Sequence, residues 1–119
     1  MSHPLRALLL AASLAFPGTF LQADEPPAGF TALFHGRDLA CWRGRPQLDP
    51  QKEAETPAEE RGRLQAEWNR DLAEHWTVKD GVIINDGKGV YLTTGRDYAD
   101  FELLLDWRLP EPCVDSGVY

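Results

Sequence analysis

The plainest pattern along the chain is an alternation of apolar and polar residues between positions 101 and 109. One set of side chains is apolar and comprises Phe101, Leu103, Leu105, Trp107 and Leu109. The intervening set, which includes Glu102 and Asp106, is mostly charged. Successive side chains of a strand point to opposite faces, so this period of two predicts a half-buried antiparallel strand.

Other short apolar runs separated by turn residues predict further strands. They cover residues 30–34, 76–84, 90–94 and 114–119, and the second is split by Asp80-Gly81, a pair that favours a tight hairpin turn. Short strands with turns between them predict a mainly β sandwich or barrel. Five or six strands cannot cover both faces of two stacked sheets, so we expect the domain to continue beyond residue 119.

A helix interrupts this pattern between about residues 57 and 75. Thr56 is predicted to cap it, with Pro57 in its first turn and Glu59 completing a capping box. Apolar residues then recur every fourth position at Leu64, Trp68 and Leu72. This narrow stripe predicts an amphipathic helix with one packed face. We expect a glycine-rich turn at residues 43–46, ahead of the helix.

The first 23 residues have the features of a secretory signal peptide. Their one formal side-chain charge is Arg6, and residues 7–16 form an apolar run too short to cross a bilayer. We expect cleavage near Ala23, a linker at residues 24–29 and export to the periplasm or the extracellular space. The alternative is a retained anchor, and no other apolar stretch approaches membrane length.

The charge of the chain excludes nucleic acid as an expected partner. The net charge is −7, and removal of the signal peptide takes away one positive charge and leaves −8. Nucleic-acid binding needs a basic surface. The two cysteines, Cys41 and Cys113, could form a disulfide in an oxidising compartment, although the sequence also allows two separate thiols.

Ordered motifs across residues 29–119 resemble the 3-keto-disaccharide hydrolase family. The opening motif is GFTALFHGRDL at residues 29–39, followed by Trp42. The later motifs occur in order as WTVKDG at 76–81, LTT at 92–94, YADFEL at 98–103 and DSGV at 115–118. Residues 30–119 are therefore predicted to form the N-terminal portion of such a domain.

The resemblance implies a concanavalin-like jelly-roll sandwich that acts on glycosides oxidised at carbon 3, as a 1,2-lyase or a hydratase. Such a reaction needs a general base, a cation or hydrogen-bond donor at the ketone oxygen, and a surface on which the sugar ring docks. No full set of metal ligands is visible and no cofactor is assigned, although a divalent metal could stabilise the enolate.

Asp115 and His75 are the candidate catalytic residues. In a strand that starts at Asp115, Gly117 and Tyr119 share its face. The family commonly has Asn at this position, and Asp offers a base; the alternative is a strand-end hydrogen bond. His75 ends the predicted helix, where the alternative to catalysis is a C-terminal cap. His35 stands where the family more often has Asn, and we expect it to fill a turn.

Trp42, Tyr119 and Glu102 are the candidate substrate-binding residues. The Trp42 indole could stack on a pyranose ring, and the alternative is a buried structural Trp. Glu102 could contact the sugar or remain a solvated charge. The sequence thus favours an exported enzyme with a sugar or glycoside substrate. The alternatives are a non-catalytic carbohydrate-binding module and an inactive fragment.

Overall fold

The computed structural model describes residues 25–111 and 116–119. The signal peptide predicted for residues 1–23, together with Cys113 and Asp115, lies outside the described residues. The elements follow the order β1 (Trp42–Arg45), α1 (Pro50–Glu55), α2 (Ala58–His75), β2 (Trp76–Lys79), β3 (Val82–Asn85) and β4 (Tyr91–Thr94). Within the described ranges, no helix combines the length and the apolar character that a membrane span requires.

The strands form two antiparallel pairs. β1 pairs with β4, with Trp42 opposite Thr94 and Arg45 opposite Tyr91. β2 pairs with β3, and Lys79 lies opposite Val82. Antiparallel strand pairs with an inserted amphipathic helix are consistent with the mainly β sandwich that the sequence predicts, so the predicted fold class is confirmed.

The β2–β3 hairpin and the main helix match their sequence patterns closely. Asp80 and Gly81 take φ angles of 52° and 74°, as a two-residue primed turn requires. α2 begins one residue after the predicted start at 57 and ends at the predicted residue, His75. The apolar stripe of α2 packs mainly against β1. Leu72, at 5% exposure, is the buried hydrophobic residue of the described chain.

The start of α2 differs from the prediction because Thr56 belongs to a second helix, α1. Asp49 caps α1 by accepting a hydrogen bond from the backbone N–H of Gln51 at 2.9 Å. The Thr56 hydroxyl donates to the carbonyl of Lys52 at 2.8 Å, at the other end of that helix. This hydroxyl is therefore not the N-cap of α2, which begins after Pro57 with no side-chain cap.

β1 stands where the sequence predicted a turn, and α2 explains why. The N–H of Gly44 donates to Asn69 Oδ1 at 3.0 Å, and the carbonyl of Gly44 accepts from Gln65 Nε2 at 2.8 Å. These two amides of α2 satisfy the edge of β1 that faces away from β4. Gly44 also lets the helix approach, because an added Cβ would collide with the backbone carbonyl of Trp68.

Three predicted strands form no ladder within the residues that the structure describes. Residues 30–34 form no ladder, although the N–H of Phe30 closes a turn on the carbonyl of Pro27 at 3.0 Å. Residues 101–109 also have no strand partner, and their apolar side chains are exposed, Phe101 at 65% and Trp107 at 61%. Alternation gives a segment an apolar face, but a strand also needs a neighbour. Residues 116–119 likewise form no ladder.

We expect Gly44→Ala to lower the free energy of unfolding by about 2 kcal/mol, because the new methyl group forces α2 away from β1. Urea denaturation followed by circular dichroism measures this change. Gly62→Ala is the matched control, since its Cβ would meet open space within α2. That control should gain up to about 1 kcal/mol from helix propensity. Equal stability of Gly44→Ala and the unsubstituted protein would contradict this packing.

Candidate functional site

A cavity of about 230 Å³ lies beside the sheet formed by β1 and β4. We call it the Trp42 cavity. Three segments line it, the loop at 31–35, the start of β1 and the turn after β4, with the residues Thr31, Ala32, Leu33, His35, Cys41, Trp42, Thr94, Gly95, Arg96 and Tyr98. The β1–β4 pairing brings these segments together, and the N–H of Gly95 donates to the carbonyl of Cys41 at 2.9 Å.

The turn after β4 places a cation and a phenol on the cavity wall. Arg96 Nε donates to the Tyr98 hydroxyl at 2.8 Å, and the guanidinium carbon lies 4.8 Å from the centroid of the Tyr98 ring. The hydrogen bond to Tyr98 raises the pKa of Arg96 further above its ordinary value. Thr94 Oγ1 donates to the Arg96 carbonyl at 2.9 Å and holds the turn. Arg96 is therefore a permanent, positioned cation.

The cavity combines groups that suit a sugar ring. The half-buried Trp42 and the Tyr98 ring supply aromatic surface, on which the apolar face of a pyranose can stack. Arg96 and the hydroxyls of Thr31 and Thr94 supply hydrogen-bonding groups. His35, which the sequence assigned to a turn, also lines the cavity and adds an imidazole. The volume of the Trp42 cavity is below the roughly 300–1,000 Å³ of most ligand sites, so the cavity suits a single sugar ring.

The structure brings one of the five predicted site residues, Trp42, to this cavity. Glu102 lies in the exposed segment after β4. The ring of Tyr119 lies 5.5 Å from that of Tyr91, at an angle of 33°, beside β4. Asp115 lies outside the described residues. Roles of Glu102, Tyr119 and Asp115 in the reaction stay predictions.

His75 lies at the C-terminal end of α2, in a cluster with two carboxylates. Its Nδ1 is 2.8 Å from Asp86 Oδ2, and its Nε2 is 3.8 Å from Asp71 Oδ1. Asp71 also accepts a hydrogen bond from the N–H of Val90 at 2.6 Å. Gly89 packs on the His75 ring, where a Cβ would come within 2.7 Å of the imidazole. The cluster thus fastens the loop between β3 and β4 to the helix.

Asp86 sets the protonation of this histidine. Its hydrogen bond raises the pKa of His75, against the opposing effect of desolvation, and the charges of Asp86, Asp71 and Glu74 add to the increase. The same bond lowers the pKa of Asp86. The raised pKa increases the fraction of charged imidazolium, the form that cannot accept a proton. The geometry therefore gives His75 a structural function, while a catalytic one stays a prediction.

Sequence reasoning did not select Arg96 or Tyr98. Residues 95–97 carry the signature of a turn, which is what they form, and nothing local marks them as lining a cavity. The available signal was their position directly after β4, the strand whose last residue, Thr94, lies opposite Trp42.

Comparison with known protein families gives a match that spans residues 29–119. It is to the family described as the 3-keto-alpha-glucoside-1,2-lyase-like domain. The chain belongs to this family. All residues that line the Trp42 cavity fall within the matched part of this lyase-like domain. No curated protein and no solved structure matches the chain.

The family relates the lyase-like domain to enzymes that act on 3-keto-glycosides and indicates a sugar as its substrate. Within residues 25–111 and 116–119, no group of three or more potential ligands is arranged to hold a metal ion. Cys41 is exposed and lines the Trp42 cavity. Its pairing with Cys113 stays a prediction.

The His75–Asp86 contact should make stability depend on pH. Because the folded pKa of His75 is raised, its contribution is complete below about pH 6.5, the unfolded value, and is lost as the pH rises through the folded value. Because the folded pKa of Asp86 is lowered, its contribution is complete above about pH 4 and is lost in stronger acid. Stabilisation by the pair is therefore greatest near pH 5.

Urea denaturation of the unsubstituted protein and of His75→Gln at pH 5 and pH 8.5 measures this effect. We expect the difference in unfolding free energy between the two proteins to be larger at pH 5. Subtraction removes contributions from the other histidines. A difference that stays constant across this range would show that the imidazolium is not stabilised by Asp86.

Proposed function

We propose that the lyase-like domain binds a 3-keto-glycoside in the Trp42 cavity and catalyses elimination of its aglycone or hydration of the product. The observation that carries this proposal is the placement of aromatic surface, a fixed cation and an imidazole around one cavity in the family-matched region. The family supports the class of substrate, and the cavity supports the place where it binds.

The chemistry follows from the ketone at carbon 3. A base removes the acidified proton from carbon 2, and the electron pair forms an enolate on the ketone oxygen. The enolate then expels the aglycone oxygen with the bonding pair from carbon 1, which leaves a double bond between carbons 1 and 2. Addition of water across that double bond completes a net hydrolysis. The developing negative charge on the ketone oxygen is what the protein must stabilise.

Arg96 is proposed to stabilise that oxygen, and Trp42 to dock the ring. The guanidinium is held by Tyr98 before substrate arrives, so no reorganisation is required as charge develops. The Trp42 indole contacts the ring in the ground state and in the transition state alike, so it contributes mainly to binding.

Two groups are candidates for the base. The His35 imidazole lines the cavity, and the Asp115 carboxylate is the residue predicted from the sequence. A general base must be deprotonated to act, so its titration gives the rate profile an acidic limb. Loss of that limb in His35→Gln or in Asp115→Asn identifies the base.

A non-catalytic sugar-binding module is the second candidate function. The small volume of the Trp42 cavity favours it, because one ring can bind there without the rest of a glycoside being enclosed. Export through the predicted signal peptide is part of either proposal and would place the protein in the periplasm or outside the cell, where glycosides arrive.

The test is turnover of a 3-keto-glucoside that carries a chromogenic aglycone by the full-length protein. We expect Arg96→Gln to lower kcat by about 10²- to 10³-fold, as removal of an oxyanion donor does. Trp42→Ala should raise KM by about tenfold with a smaller change in kcat, through loss of aromatic stacking. Arg70→Gln is the matched control, because Arg70 is exposed on α2 and does not line the cavity.

A rate of aglycone release that falls in Arg96→Gln but not in Arg70→Gln supports the enzymatic function. Saturable binding of the 3-keto-glucoside without release of aglycone would instead support the non-catalytic sugar-binding module. Absence of both binding and release, or turnover that Arg96→Gln leaves unchanged, would overturn the assignment of the Trp42 cavity.

A further inference from the structure

A second, larger cavity of about 390 Å³ lies between the two helices and β1. We call it the interhelical cleft. Its apolar wall is formed by Leu48, Leu64 and Trp68. Its polar lining includes three cations and comprises Arg43, Lys52, Glu53, Thr56, Arg61 and Gln65. The Trp42 cavity shares none of these residues.

The charge of the cleft is opposite to that of the whole chain. Three cations and one carboxylate line it, although the chain has a net charge of −7. The carboxylate, Glu53, is already bound by Arg45, with Arg45 Nη2 2.5 Å from its Oε2. Glu53 therefore has its ion pair with a residue outside the lining, and the charges of Arg43 and Arg61 contribute less than this hydrogen bond to lowering the pKa of its carboxyl.

Two of those cations have no partner in the described part of the chain. Lys52 and Arg61 make no ion pair and no side-chain hydrogen bond there. Glu60, the neighbour of Arg61 in the sequence, is paired instead with Arg63 at 2.6 Å. Arg43 is partly engaged, because it donates to the carbonyl of Thr94 at 3.2 Å and lies 3.4 Å from Asp97.

Trp68 adds an aromatic surface to the cationic lining of the cleft. Attraction between ions alone would not require such a surface. Its side chain is half-buried and lines the cleft next to Leu64, one turn earlier on α2. An aromatic face bordered by an aliphatic side chain accepts a ring or another flat apolar body. The cleft thus places cations and an apolar wall around the same space, which suits a ligand with both a charged group and a ring.

We propose that the interhelical cleft binds a small organic anion, a carboxylate or phosphate monoester carried on a ring. Its charged group lies between Lys52 and Arg61, and its ring lies against Trp68. β1 is the shared wall between this site and the Trp42 cavity, because Arg43 lines the cleft and its neighbour Trp42 lines the cavity. The cleft site does not depend on turnover of a 3-keto-glycoside.

Titration calorimetry of full-length Trp42→Ala at low ionic strength tests the proposal with four probes, because this substitution removes ring stacking in the Trp42 cavity and changes no residue that lines the cleft. Glucuronate and glucose 6-phosphate carry the two charged groups on a ring, glucose is the neutral control, and inorganic phosphate is the anion without a ring. We expect saturable binding of at least one ring-bearing anion, at least tenfold tighter than that of glucose or inorganic phosphate. Preference between glucuronate and glucose 6-phosphate identifies the charged group.

Charge substitutions locate the site. Lys52→Gln and Arg61→Gln should each weaken binding of the preferred anion by about fivefold, the upper limit for an exposed ion pair. Arg70→Gln removes the same charge from α2, the helix that carries Arg61, outside the cleft and should leave affinity unchanged. Thermal unfolding checks that each variant is folded; since Lys52 and Arg61 are exposed, we expect no change.

Equal weakening by Arg70→Gln would show that general attraction, not the cleft, holds the anion, and would overturn the proposal. Glucose or inorganic phosphate binding as tightly as the ring-bearing anions would do the same. Unchanged affinity in both Lys52→Gln and Arg61→Gln would also overturn it. None of these results bears on the Trp42 cavity, since turnover of a neutral 3-keto-glucoside is measured separately.

Discussion

The backbone of Gly44 is the point on which the arrangement of this domain depends. β1 pairs with β4 along one edge, and the amides of Gln65 and Asn69 satisfy the peptide groups of Gly44 on the other. A strand that is only four residues long cannot leave such groups unpaired next to a helix without a substantial loss of stability. Glycine is required because the backbone of Trp68 occupies the space that a side chain would need. The helix therefore acts as the missing neighbour of the strand.

Both proposed sites follow from this docking. Trp42 and Arg43 are successive residues of β1 and point to opposite faces, so one strand contributes to two separate cavities. The ladder with β4 brings Arg96 to the Trp42 cavity, and the contact with α2 places Trp68 in the interhelical cleft. At the other end of α2, the His75–Asp86 pair fastens the loop that leads into β4. A shift of α2 would thus alter both cavities together.

Local features of the sequence were sufficient to predict the helix near residues 57–75 and the hairpin at Asp80-Gly81. Apolar spacing and turn chemistry are both encoded within a few residues. β1 was not predicted, because a glycine in a strand is explained only by a helix that packs on it. The alternation at 101–109 predicted a strand that is absent, because alternation reports an apolar face and not the presence of a partner. The site was found only through Trp42. Arg96 reaches the cavity through pairing between strands about 50 positions apart, which no local pattern encodes.

Hydrogen exchange at the Gly44 amide tests the docking of α2 on β1 most directly. In the full-length protein, this amide should be protected to the same degree as the central amides of α2, because Asn69 Oδ1 accepts its hydrogen at an N···O distance of 3.0 Å. Asn69→Ala should abolish that protection while the amides of the β2–β3 hairpin keep theirs. A Gly44 amide that exchanges as fast as an exposed loop amide in the unsubstituted protein would contradict the account.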